Sequence, residues 1–128
     1  KQLSVPLIGN GDVLDYNNGI KRLGNLDGFM IGRAAIGDPW CFQDRRKYPL
    51  PTHYQRIEVA LKHFCLFRGF KKEIVAVKEF RKYLSSYVNG FRNAKEWRNK
   101  LMQCQDENSF VRCMKEIQLL EKPLALAG

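Results

Sequence analysis

Two glycine-bearing turns carry the residues best suited to chemistry. The first is Gly9-Asn10-Gly11-Asp12 and the second is Gly32-Arg33, each placed at the end of a short apolar run, Val5 to Ile8 and Gly28 to Ile31. Glycine lets backbone N–H groups approach an anion closely, a following helix N-terminus adds partial positive charge, and arginine offers a two-pronged guanidinium. Two such turns side by side can grip one phosphate monoester. The competing reading of Asn10-Gly11 is a type I′ hairpin turn, for which Asn-Gly is the strongest short signal. It fits poorly, because Asp12-Val13-Leu14-Asp15-Tyr16 does not alternate like a returning strand. Asp12 or Asp15 is better used near a helix start.

The elements that must position these turns follow from the spacing. The strand-like stretch Leu3-Ser4-Val5-Pro6-Leu7-Ile8 and the second apolar run end at Ile8 and Ile31, 31 − 8 = 23 residues apart, with an amphipathic stretch from Val13 to Leu23 between them. That suits two parallel strands joined by a helical crossover. Both turns then fall on the carboxyl edge, where barrels of parallel strands build their active sites and often a phosphate site. Two parallel strands do not make a stable sheet by themselves, so the first fifty residues read as a piece of a larger α/β domain. Asp38 with Pro39 predicts the start of a short helix.

Pro49-Leu50-Pro51 marks a boundary, after which the pattern is helical. Thr52 is positioned to cap a helix carrying Ile57, Leu61, Phe64 and Phe67 and ending at Gly69. A second helix is expected from Lys72 to Asn89, with Ile74, Val77, Phe80, Leu84 and Val88 on one face and Gly90 as its stop. Shorter helices are expected over Ala94 to Gln105 and Ser109 to Leu120, the last presenting Val111, Met114, Ile117 and Leu120. Four helices with short links argue for a small antiparallel bundle.

The chain has 128 residues, of which 45% are hydrophobic and 27% charged, which excludes a disordered chain. No apolar run approaches the ~20 residues of a membrane span, and the start resembles no signal peptide, so a cytoplasmic protein without a membrane partner is expected. Because the first residue is Lys1 rather than Met, something is expected to precede it. Cys41, Cys65, Cys104 and Cys113 form no CxxC pair, which favours a reducing compartment. The net charge of +9 divides into 7 basic and 5 acidic side chains up to residue 50, and 15 and 8 beyond it. An excess of that size on a helical segment favours a polyanionic partner. On a helical projection Lys71, Lys78 and Lys82 form a ridge beside the apolar stripe. Arg92, Lys95 and Arg98 extend it, and Arg45-Arg46-Lys47 adds a patch near the boundary. Structured RNA is read largely through shape and phosphate, so such a ridge suffices for contact. Cys41 is read as a buried small hydrophobe rather than a nucleophile. His53 and His63 lack companions at metal-ligand spacing, and no metal is expected. Trp40, Phe42 and the aromatics from Phe64 to Phe70 are read as packing residues.

The run Pro6-Leu7-Ile8-Gly9-Asn10-Gly11-Asp12, followed by Gly28-Phe29-Met30-Ile31-Gly32-Arg33-Ala34-Ala35-Ile36-Gly37-Asp38-Pro39-Trp40, is more specific than a generic βα pattern. It closely resembles the tRNA-dihydrouridine synthases, and Phe80-Arg81-Lys82 with Tyr87 and Gly90 is similar to the family's helical part. The resemblance implies a mainly α chain with a small parallel β/α portion. Residues 1–48 would be the last two β/α units of an FMN-binding TIM barrel, and residues 49–128 a four-helix bundle domain that contacts tRNA. It further implies that Asn10, Gly11, Asp12, Gly32 and Arg33 contact FMN, mainly its phosphate end. In the intact enzyme NADPH would be the reductant, and uridine in tRNA would become 5,6-dihydrouridine. The family's catalytic cysteine lies in an upstream barrel segment, so this chain is expected to carry no catalytic residue and to be inactive alone. Two alternatives remain at this point: a noncatalytic helical RNA-binding module, and another FMN TIM-barrel oxidoreductase acting on a small molecule.

Overall fold

A computed structural model describes residues 4–122. Leu3, the first residue of the strand-like stretch, lies outside the described residues, as do residues 1–2 and 123–128. The chain divides into two compact units, Lys1–Leu50 and Pro51–Gly128. It is mainly helical, with one small parallel sheet.

The first unit contains β1 (Ile8–Gly9), α1 (Tyr16–Arg22) and β2 (Gly28–Phe29). The strands pair in parallel, Ile8 opposite Gly28 and Gly9 opposite Phe29. A hairpin requires antiparallel partners, so the type I′ reading of Asn10-Gly11 falls. Each strand has two residues, shorter than its apolar run, although single bonds extend the pairing: Gly28 N–H donates to Leu7 O and Met30 N–H to Gly9 O at 2.8 Å. Asp15 starts α1, its carboxylate accepting the Asn18 N–H at 2.7 Å. Gly19 of α1 is buried against Phe29, which lets helix and strand approach closely. Beyond β2 the chain makes two 3₁₀ turns, Arg33–Ala35 and Pro39–Phe42. The helix expected at Asp38 is therefore a 3₁₀ turn. Pro39 stands near its start, but the Asp38 carboxylate bonds Arg45 instead of capping. Val13, Ile31 and Cys41 form this unit's small buried core.

The second unit holds α2 (His53–Arg68), α3 (Glu73–Tyr87), α4 (Ala94–Gln103) and α5 (Glu107–Leu120). Thr52 caps α2 through a reciprocal box: Gln55 N–H donates to Thr52 Oγ1 at 3.1 Å, and Thr52 N–H donates to Gln55 Oε1 at 2.9 Å. Gly90 follows α3 with φ 85°, the left-handed conformation that suits glycine. Asp106 starts α5, accepting from Ser109 N–H at 2.8 Å, so that helix begins two residues earlier than Ser109, and α4 stops two residues short of Gln105. Phe80 is the hub of a core to which all four helices contribute, its ring centroid lying 5.2 Å from Phe64, 5.6 Å from Phe67 and 6.2 Å from Phe110. Tilted and edge-on rings of this kind add ~0.5–1.5 kcal/mol per pair beyond their area burial.

Several expected core positions lie outside this core. Ile74 is 69% exposed and Leu120 71%, because Ala76 takes the inward position at the start of α3 and Met114 and Ile117 complete the inward stripe of α5. Phe42 and Phe70 are exposed rather than packed.

Candidate functional site

The parallel pairing of β1 and β2 points both turns the same way. Asn10, Gly11, Asp12, Gly32 and Arg33 line one concavity of about 690 Å³. Val13, Leu14, Met30 and Ala34 complete its wall and were not singled out from the sequence. They adjoin the two motifs, and that adjacency was the available signal. The volume falls within the ~300–1,000 Å³ of small-ligand sites.

Local backbone geometry explains the glycines. Gly11 has φ 133° and Asp12 φ 46°, so the chain passes through left-handed conformations at the tip of the first turn. A Cβ on Gly11 or Gly32 would meet no protein atom within 4 Å. Open space therefore adjoins the backbone at both tips, which is what close approach of a ligand to main-chain N–H groups requires. The expected helix N-terminal contribution is absent at the first turn. Helix α1 starts at Tyr16, where Asp15 takes the Asn18 N–H and the Asn18 side chain accepts the Leu14 N–H at 3.1 Å.

Arg33 forms an ion pair with Asp12 across the concavity. The two side chains are 84% and 75% exposed, so solvent screens the pair and its worth is ~0–1 kcal/mol. A charge-assisted hydrogen bond to a desolvating anion is worth ~1.5–3 kcal/mol, so such an anion can draw the guanidinium away from Asp12. Arg22, which the sequence did not suggest, donates to Asp12 O at 3.1 Å and braces the turn. Beneath the turns, burial and the nearby Asp38 carboxylate raise the pKa of the fully buried Cys41 thiol, as suits a packing residue.

The basic residues differ in how far they are engaged, and the Lys82 ammonium, though exposed, lies 5.1 Å from the Tyr83 ring centroid. Lys78 and Lys82 are exposed along α3, beside Ile74 and Val75, and Arg92 and Lys95 are exposed before and at the start of α4. Lys71 lies outside the helix on which the ridge is projected. Lys72 is extended and α3 starts at Glu73, so the helical projection does not reach Lys71, whose ammonium pairs with Glu79 at 2.6 Å and lies 5.3 Å from the Phe67 ring centroid. Arg98 is also engaged: it donates to Ser85 O and to Asn89 Oδ1, both at 3.2 Å, and satisfies the end of α3. The expected 45–47 patch is likewise reduced. Arg45 bridges Asp15 and Asp38, and Arg46 pairs with Asp44 at 3.0 Å. Hydrogen bonds from Arg46, and then from Asn17, hold the Asp44 carboxyl well below the usual carboxylate range.

The histidines are occupied within the fold. His53 Nδ1 lies 3.0 Å from Glu121 Oε2, and His63 Nδ1 lies 3.2 Å from Tyr87 Oη. Among the described residues no group of three or more His, Cys, Asp or Glu side chains is arranged to hold a metal ion. Nor is any described helix long and apolar enough to cross a membrane.

Comparison with known proteins extends these observations. The family model described as "Dihydrouridine synthase (Dus)" matches residues 1–123. A probable tRNA-dihydrouridine synthase of Rickettsia bellii is 26% identical over 113 residues, covering 81% of this chain and 35% of that protein. One of Staphylococcus aureus is 32% identical over 99 residues, covering 75% and 30%. The tRNA-dihydrouridine synthase B of Pseudomonas putida is 26% identical over 113 residues, covering 81% and 34%. The chain thus spans about a third of the length of these relatives. With nearly every residue inside the family match, this chain belongs to the dihydrouridine synthase family.

Proposed function

We propose that this chain is the C-terminal part of an FMN-dependent tRNA-dihydrouridine synthase, a cytoplasmic enzyme that reduces uridine in tRNA with NADPH. The observation that carries the reading is the single concavity lined by Asn10, Gly11, Asp12, Gly32 and Arg33 at the tips of two parallel strands. The residues fit the phosphate end of FMN: Arg33 brings a fixed positive charge, and the open space at Gly11 and Gly32 admits an anion to the backbone. With FMN in place, Arg33 would hold its phosphate instead of Asp12, whose carboxylate would be left to accept a hydroxyl. FMN supplies the hydride chemistry that the amino-acid side chains lack.

The rest of the barrel, with the catalytic cysteine, belongs to the upstream portion of the same protein. The two-stranded sheet supports this, since it exposes Ile8 and leaves Met30 half uncovered beside it, as a sheet does before further strands and helices cover it. Lys78, Lys82, Arg92 and Lys95 contribute to the tRNA surface through phosphate contacts.

The test uses the longer protein that contains this chain. Dihydrouridine formation on unmodified tRNA with NADPH is expected from it, and none is expected from residues 1–128 alone. Arg33→Ala in the longer protein should lower its flavin content. Unchanged flavin content in that variant, or turnover by the 128-residue chain, would overturn the reading.

A further inference from the structure

Arg45 lies outside the concavity, yet it touches the start of whatever follows each of its two loops. The first loop ends at Asp15, which caps α1, and Arg45 Nε donates to Asp15 Oδ2 at 3.3 Å. The second loop runs on through a 3₁₀ turn to Asp38, and Arg45 Nη2 donates to Asp38 Oδ2, also at 3.3 Å. One guanidinium thus bridges two carboxylates 23 residues apart in sequence (38 − 15), using a different nitrogen for each. Its backbone is docked as well. Arg45 N–H donates to Asn17 Oδ1 at 2.9 Å, and Asn17 Nδ2 donates back to Asp44 Oδ1 at 3.0 Å.

The arrangement differs from that of a surface ion pair. The side chains of Arg45, Asp15 and Asp38 are 30%, 25% and 35% exposed, so solvent screens them far less than it screens Arg33 and Asp12. The apolar alternative for fixing the loops is small, since Val13, Ile31 and Cys41 are the buried cluster here. A planar fork with several fixed donors holds two carboxylates at a set separation, which a flexible ammonium does not.

We propose that Arg45 is a positioning residue that sets the spacing of the two phosphate-gripping loops, and thereby tunes this chain's selectivity for a phosphate monoester over its unphosphorylated counterpart. The inference rests on the reading of the concavity as a phosphate site. It assigns Arg45 to the interior bracing of that site rather than to RNA contact.

The experiment titrates the flavin-free longer protein that contains this chain with FMN and, separately, with riboflavin, reading the change in flavin fluorescence to obtain the ratio of the two affinities. Arg45→Ala should reduce the FMN preference about tenfold, a factor equivalent to ~1.4 kcal/mol. Arg45→Lys should restore part of it, and Lys47→Ala, which removes a neighbouring exposed cation, should leave it unchanged. General loosening of the fold would weaken both ligands alike and would not move the ratio. Arg33→Ala separates the two levels of the account. If Arg33→Ala lowers the FMN preference while Arg45→Ala does not, the positioning role is overturned and the phosphate site stands. If neither lowers it, the phosphate site itself is wrong. Should Arg45→Ala fail to fold, Arg45→Lys decides: a reduced preference supports the role, and a wild-type preference overturns it.

Discussion

Gly19→Ala sets two opposing effects against each other at a position that controls how α1 lies on β2. In an ordinary helix interior the change gains ~0.8–1 kcal/mol, because alanine restricts the unfolded chain more than glycine does. Here an ideal Cβ would stand 2.2 Å from Phe29 Cε2 and 2.4 Å from both Cδ2 and Cζ. Carbon atoms in contact prefer ~3.5–4.0 Å, so three ring atoms would overlap the new methyl by more than an ångström each. Phe29 cannot simply turn aside, because it packs against the Val13, Ile31 and Cys41 cluster and lies 6.1 Å, centroid to centroid, from the Tyr16 ring. Overpacking of this kind costs ~1–3 kcal/mol, which exceeds the propensity gain. The expected net effect is destabilisation of the first unit by about 1 kcal/mol. Native-state hydrogen exchange at the Met30 amide, which bonds Gly9 O, reports it, with the Val88 amide of the second unit as internal reference. Exchange at Met30 should quicken about fivefold relative to Val88, and shortening the ring with Phe29→Leu should reverse part of the change. An unchanged or slower Met30 amide in Gly19→Ala would refute the close-packing account.

Three further expectations concern single groups. Thr52→Ala removes one half of the α2 capping box and should destabilise the second unit by ~1 kcal/mol, measured by urea unfolding; an unchanged midpoint would count against the box. Burial holds the His63 pKa below its ordinary 6.5, so the unfolded chain takes up the proton first as pH falls. The stability His63 supports is fully present above pH 6.5 and declines as pH drops toward the lower folded value, so thermal melting should show a slope in that window that His63→Gln flattens. An equal slope in both proteins would be evidence against it. Burial, with the adjacent Cys104 thiol, pushes Cys113 up to about 11, so at pH 8 about one in a thousand of its thiols is ionised. A thiol reagent should therefore modify the exposed Cys65 well before Cys113 or the fully buried Cys41, and early labelling of Cys113 would contradict its environment.

The legible features of the sequence were those governed by local rules. Strand spacing anticipated a parallel pair of strands, Thr52 announced a helix start, and Gly90 supplied a stop. The two turns were legible as glycine-bearing tips, and they meet in one concavity because a crossover returns the second strand parallel to the first. What escaped notice depended on partners distant in sequence. Arg45, Arg98 and Lys71 looked like free cations, and each is taken by a group from another segment: Asp15, Ser85 and Glu79. Helical projection also overstated the apolar faces at helix ends. Ile74 lies in the first turn of α3 and Leu120 in the last turn of α5, where neighbouring helices no longer cover the stripe.

The central claim is that the tips of β1 and β2 together hold a phosphate monoester, and mapping FMN-induced amide shifts across this segment within the flavin-free longer protein tests it most directly. The account predicts shifts concentrated at Asn10 to Val13 and Gly32 to Ala34. They should weaken at least tenfold in apparent affinity in Arg33→Ala, the loss of one charge-assisted contact of ~1.5–3 kcal/mol. Shifts confined to the basic helices, or an Arg33→Ala chain that binds as tightly as the original, would contradict it.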